Sequence, residues 1–214
     1  VGLDVVMIGL DEIKENVKTD AQVAAMVKWL QENVPETHTT HIGQPSGRMS
    51  EGDRVGLYSD LHVLRGLALR FERGGTAALA DATEEDLQGE TDRFYDAQPA
   101  LTTRFLNLVN HSDCDGVYVP LPLREPVTVS GTLKLPGADE EAVNVSIGSS
   151  EGLLDELDEL ALVLEMPGDR GSLSEKHFEQ AVADHRWPTA AYVWGLLHWY
   201  ARESVRAKTL IVFC

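Results

Sequence analysis

Apolar positions along this chain fall into two rhythms, one of period two and one near 3.6. Leu3 to Leu10 is apolar and β-branched with Asp4 as its only charge, which predicts a strand. Residues 19–33 carry Val23, Met26, Val27 and Leu30 at helical spacing, with Asp20 suited to the cap and Pro35 ending the run. From Glu36 to Gly52 no period survives, and the pattern predicts a long loop over 36–52. Loops of that length are uncommon unless they are functional or mobile. Leu57, Leu61, Leu64, Ala68 and Phe71 form one apolar stripe, predicting a second helix over 54–72 that Gly74-Gly75 stops. Residues 74–98 are acidic and broken, an irregular segment with one short helix near Thr83 to Leu87. Between Ala100 and Val109 the pattern fits helix and strand equally.

The next part is rich in β signals. Pro126 to Leu135 alternates apolar and small polar residues around Gly131, and Val143 to Ile147 predicts a further strand. It leads through Gly148-Ser149-Ser150 into a helix with Leu153, Leu157, Leu160 and Leu164 on one face and Asp155, Glu156, Asp158 and Glu159 on the other. Pro167-Gly168 closes that helix. A polar linker or short helix over about 172–184 precedes a last helix over 188–205, where Pro188 suits the first turn. Thr209 to Cys214 reads as a buried strand. Strands at both ends predict that the last pairs beside the first. The mixture of elements predicts an α+β fold, one domain over 1–214, with a mixed or antiparallel sheet packed by four to five helices.

Charge narrows the classes of partner. Thirty-five acidic residues against eighteen basic ones leave a net charge of −17, which argues against general nucleic-acid binding and against an acidic membrane surface. A basic protein partner fits this charge, and homo-oligomerisation stays open. Two cysteines 100 residues apart, Cys114 and Cys214, suggest free thiols in a reducing compartment. With no apolar window long enough to span a bilayer and no signal-peptide pattern, the expectation is a cytoplasmic protein.

Candidate chemistry concentrates in His111-Ser112-Asp113-Cys114-Asp115-Gly116. Taken as a divalent transition-metal site, it offers the imidazole of His111 with the carboxylates of Asp113 and Asp115, and the Cys114 thiolate. Adjacent loop residues rarely all reach one ion, so His38, His41, Asp60 or His62 would have to contribute. An EF-hand calcium loop fails, because Pro122 stands where the bidentate Glu belongs. As a catalytic set, His111, Asp113, Cys114, Asp115 and His62 would supply a nucleophile and acid–base groups. As structure alone, the Asp and Gly residues make a tight turn.

Three other places compete. Tyr58, His62 and Arg65 share a helix face beside the apolar stripe and could line a cleft with the His111 loop. Gly148-Ser149-Ser150 opens a helix as a phosphate site would, but the following Glu151 already answers the helix dipole, so a serine N-cap is the expectation. The aromatic group Trp187, Tyr192, Trp194, Trp199 and Tyr200 surrounds its helix, so some should be exposed, with Tyr192, Trp194 and Trp199 as interaction anchors beside Tyr58 and Arg65. No Walker A, GxGxxG, GxSxG or HExxH pattern occurs.

Gly2-Leu3-Asp4-Val5, the His111 to Gly116 motif, the Leu-rich helix after it and the apolar end near Val212-Phe213 occur in one order. In this the chain resembles a group of small bacterial and phage proteins that begin with Gly-Leu-Asp and carry a His-Ser-Asp-Cys-(Asp/Glu)-Gly motif. The resemblance leaves residues 11–100 unmatched and implies no activity; it implies that Gly2 is the true beginning, with Val1 a start codon written as valine. Two functions follow from the residues themselves. The leading expectation is an acidic neutralising or immunity-type domain that binds a macromolecular partner. The alternative is a metal- or thiol-dependent enzyme built on the His111–Gly116 loop.

Overall fold

The computed structural model describes residues 2–9, 20–34, 53–97, 99, 102–112, 116–134 and 140–213. The predicted loop 36–52, Asp113, Cys114, Asp115 and Cys214 lie outside the described residues. A six-stranded sheet forms from β1 (Gly2–Ile8), β2 (Asp53–Leu57), β3 (Gly116–Val119), β4 (Val127–Lys134), β5 (Glu140–Ser149) and β6 (Leu210–Phe213) in the order β2-β1-β6-β3-β5-β4. Every pairing is antiparallel except β3 with β5. The two terminal strands pair directly, Val5 opposite Phe213 and Ile8 opposite Leu210. This is an α+β fold with a mixed sheet.

Seven helices accompany it among the described residues: α1 (Asp20–Asn33), α2 (Tyr58–Ala78), α3 (Glu84–Asp96), α4 (Leu106–Val109), α5 (Ser150–Leu164), α6 (Glu175–Ala183) and α7 (Pro188–Ala207). That exceeds the four to five expected, because α3, α4 and α6 form where the pattern is polar or short. One face of the sheet meets α2, α5 and α7 through a large core that includes Leu3, Leu64, Leu157, Leu197, Tyr200 and Phe213. The other meets α1, whose Val23, Met26 and Leu30 pack on Val117, Val145, Ile147 and Val212. β6 alternates between the cores, Leu210 and Val212 to one and Ile211 and Phe213 to the other, so all four residues are buried. A strand buried on both faces reads as a continuous apolar run.

Two boundaries differ from the sequence reading. Residues 53–57 are strand β2 rather than the start of a helix. Leu57 satisfies either period, and pairing with β1 decides for strand. Gly56, at φ +129°, makes the strand-to-helix corner, where a Cβ would meet the Asp60 carboxylate at 2.2 Å. Asp60 there accepts the Leu57 N–H at 2.8 Å. The segment predicted as irregular holds the 13-residue helix α3. Thr83 and Asp86 form a reciprocal capping box at its start, and Leu87 and Phe94 bury one side against α2. The contact is close enough that Gly66 of α2 sits on the Leu87 carbonyl. As predicted, α2 loses helical geometry at Gly74 and Gly75, with one further turn reaching Ala78. No helix of the described residues is long and apolar enough to cross a membrane.

Candidate functional site

The four-residue helix α4 shows how the His111 region is held. Its N-terminal amides at Asn107 and Leu108 donate to the Glu156 carboxylate of α5 at 2.8 and 2.7 Å. At its C-terminal end, Arg65 of α2 donates to the carbonyls of Leu108 at 2.8 Å and His111 at 2.7 Å, and Tyr95 of α3 donates to the Val109 carbonyl at 2.7 Å. So short a helix cannot satisfy its own ends, and groups from three other helices do it instead. Burial pushes the Glu156 carboxyl up to about 7, against the pull of the Asn107 and Leu108 amides.

His111 emerges from this turn into the core, 2% exposed. Its ring stacks on Tyr118 at a centroid distance of 3.8 Å, with Nε2 3.2 Å from the Val117 carbonyl. Gly116 and Gly148 leave room for it, since a Cβ at either would come within 2.1 and 2.6 Å of the imidazole carbons. The Tyr118 ring and the two glycines pack closely against one part of the imidazole. His62 lies 3.3 Å through Nδ1 from Asp92 and packs its edge on Tyr95. His62, Arg65 and His111 line a common cavity of about 380 Å³ with Asn110, Ser112 and Ser146. Asp113, Cys114 and Asp115 stand outside the described residues, and among the described residues no three His, Cys, Asp or Glu side chains gather as a metal set.

Of the three aromatic anchors expected on α7, one is buried and two are half-buried. Trp194, 3% exposed, donates through Nε1 to the Leu157 carbonyl at 2.8 Å and joins α7 to α5. Trp199 is half-buried, set edge-on to Tyr200 and against Gly171. Tyr192, also half-buried, donates to the Arg54 carbonyl at 3.0 Å and ties α7 to β2. Tyr58 packs against the large core, and Arg65 is 2% exposed. As a helix packed on three other helices and on β6, α7 buries residues on several sides, which is why aromatics surround it. At the other candidate turn, Ser149 caps α5 by accepting the Gly152 amide at 2.8 Å.

One polar cluster joins residues that no sequence spacing relates. His198 of α7 has Nδ1 2.8 Å from Asp169 and Nε2 2.8 Å from Asp158 of α5. Two carboxylates on the two ring nitrogens are satisfied only by the imidazolium, which donates from both. Arg202 completes the cluster 2.7 Å from Asp169. Burial opposes the charge on Asp169, but donation from His198 and Ser172 and the Arg202 charge prevail, holding its pKa at about 2. Burial likewise pulls the His198 pKa down, and the two carboxylates raise it above its ordinary value.

The basic residues are spent in similar ways. Arg65, Arg70 and Arg186 donate to backbone carbonyls. Arg73 and Arg93 meet the buried Glu90, Arg104 meets Glu159, and Arg206 meets Glu203. Glu85 and Asp96 on α3, Asp155 on α5, Glu165 just past it, and Glu175 and Glu179 on α6 are exposed, with no ion-pair partner among the described residues. Exposed carboxylates therefore lie on the outside of the helical layer, while much of the positive charge is met by carboxylates or backbone carbonyls.

The fold therefore pairs much of its positive charge and leaves a set of carboxylates exposed on its helices. The family described as Putative DNA-mimic protein matches residues 1–213, and the chain belongs to it. No curated protein and no solved structure matches the chain.

Proposed function

We propose that this protein occupies the DNA-binding surface of a basic protein and so competes with DNA for it. The carrying observation is the uneven use of charge, with many arginines committed to carbonyls and acids while Glu85, Asp96, Asp155, Glu175 and Glu179 stand exposed with no ion-pair partner among the described residues. Membership of the DNA-mimic family supports the same reading. A surface of this sign attracts the groups that neutralise phosphates, and its association weakens steeply with salt. Partner binding of this kind is the neutralising role expected from the net charge of −17.

The test is displacement. Fluorescently labelled duplex DNA is bound to purified core histones or to a bacterial HU-type nucleoid protein at low ionic strength, and this protein is titrated in. Release of the duplex, with affinity falling linearly in log–log salt plots, is the expected result. No release at any concentration would remove the proposal.

A further inference from the structure

Among the described residues Leu162 is the most exposed large apolar side chain, at 78%. It stands on α5 in register with Glu151, Asp155 and Asp158, and Glu165 follows at the helix C-cap. The steps are four, three, four and three residues, which places all five along one line of the helix. The opposite line, Leu153, Leu157, Leu160 and Leu164, is fully buried. Glu156 and Glu159 flank the row but turn to Asn107, Leu108 and Arg104, so they serve packing. Asp158 remains at the surface, 62% exposed, although it also accepts from His198.

Fourteen residues rise about 21 Å, so the four carboxylates follow at axial steps of about 6, 4.5 and 10.5 Å, a mean of about 7 Å against ~3.4 Å of axial rise per phosphate along one DNA strand. Glu151 also lies 3.9 Å from Lys208. A row at half the linear charge of a strand attracts a phosphate-binding surface but holds it less tightly. An apolar side chain between Asp158 and Glu165 supplies what the charges lack, because its burial does not weaken with salt. The corresponding outward row of α3, Glu85, Gly89, Asp92 and Asp96, has comparable charge and a glycine where α5 has a leucine.

Resting on the DNA-mimic reading above, we infer that the outward face of α5 is the docking face. Its occupant is the DNA-backbone-binding surface of a basic protein, with basic side chains on Glu151, Asp155, Asp158 and Glu165 and an apolar depression for Leu162. Charge complementarity selects this occupant over a second copy of the chain, which would set like-charged rows against each other.

The experiment compares three variants with the parent in binding core histones and the HU-type protein, with lysozyme as a basic control protein. Asp155→Asn/Asp158→Asn/Glu165→Gln should weaken binding at low salt and flatten its salt dependence relative to the parent. Leu162→Ser should weaken binding about tenfold and leave the slope unchanged. Glu85→Gln/Asp92→Asn/Asp96→Asn removes equal charge from α3 and should stay within about twofold of the parent. Thermal melts establish that each variant is folded. Equal losses from the α3 and α5 sets, or no effect of Leu162→Ser, would overturn the face while leaving the DNA-mimic reading intact. Failure of the parent to bind either probe in competition with duplex DNA, or equal binding of lysozyme, would overturn that reading and the face with it.

Discussion

His198 of α7 donates through Nδ1 to the buried carboxylate of Asp169 across 2.8 Å. Because Asp158 takes the second ring nitrogen, the cluster favours the charged imidazole. A histidine whose pKa is raised on folding contributes stability that is full below about 6.5 and is lost as pH rises through the folded value. Asp169 acts in the opposite sense, contributing above about 3.8 and losing that contribution as pH falls toward 2. NMR titration of the His198 ring should give a midpoint above that of a free histidine. In Asp169→Asn the midpoint should fall, because His198 then keeps only the exposed carboxylate of Asp158, and stability near pH 6 should drop with it. An unchanged midpoint in that variant would contradict the pairing.

Glu156 should impose a slope of its own. Its carboxyl pKa is raised on folding to about 7, so the folded state holds the proton more firmly than the unfolded chain. Stability from this group is therefore greatest below about 4.5 and declines as pH rises toward 7. Glu156→Gln removes the titration and leaves one acceptor oxygen for the Asn107 and Leu108 amides. Urea midpoints should show the parent ahead of the variant at pH 5, with the gap narrowing at pH 8. A constant gap would mean that Glu156 does not titrate in this range.

Arg65 should be among the costliest side chains to replace. Its guanidinium reaches from α2 to two carbonyls around the end of α4, and a lysine ammonium cannot reproduce that fork. Arg65→Lys should lose about 2–3 kcal/mol, read from chemical denaturation, with backbone amide shifts concentrated near Leu108 to Ser112. A loss below about 0.5 kcal/mol would show that the segment is held by other contacts.

Gly66 fixes how closely α2 and α3 approach. A Cβ there would lie 1.7 Å from the Leu87 carbonyl oxygen, and backbone cannot step aside as a flexible side chain can. Gly66→Ala should cost about 3 kcal/mol despite alanine's better helix propensity. In an isolated peptide spanning α2 the same change should raise helicity, which separates the tertiary clash from the local preference.

The aromatic residues of α7 show where sequence reasoning stops. Their ring around the helix suggested exposed anchors, yet a helix that packs on α2, α5 and α6 as well as β6 needs bulk on several sides. Trp194 and Tyr192 spend even their polar atoms on the Leu157 and Arg54 carbonyls. Nothing in one chain's periodicity states how many neighbours a helix will have. The same holds for Glu156, read on the polar face of its helix, whose partners Asn107 and Leu108 lie far away in sequence. His62, Arg65 and His111 do line one cavity, a juxtaposition suggested by the shared helix face of the first two.

What the sequence by itself determined is local. Strong period-two and period-3.6 segments set β1, β5, β6, α1, α5 and α7, Pro188 and a serine at 149 or 150 set helix starts, and the charge balance pointed to a basic partner. Each of these follows from a residue and its near neighbours, or from a simple sum of charges. The tertiary structure alone decided that residues 53–57 extend as a strand beside β1, that an acidic stretch winds into α3, and that His198 lies between two carboxylates. It also decided which charges remain outside, because pairing an arginine with a distant carbonyl or buried acid depends on long-range packing that local spacing does not encode.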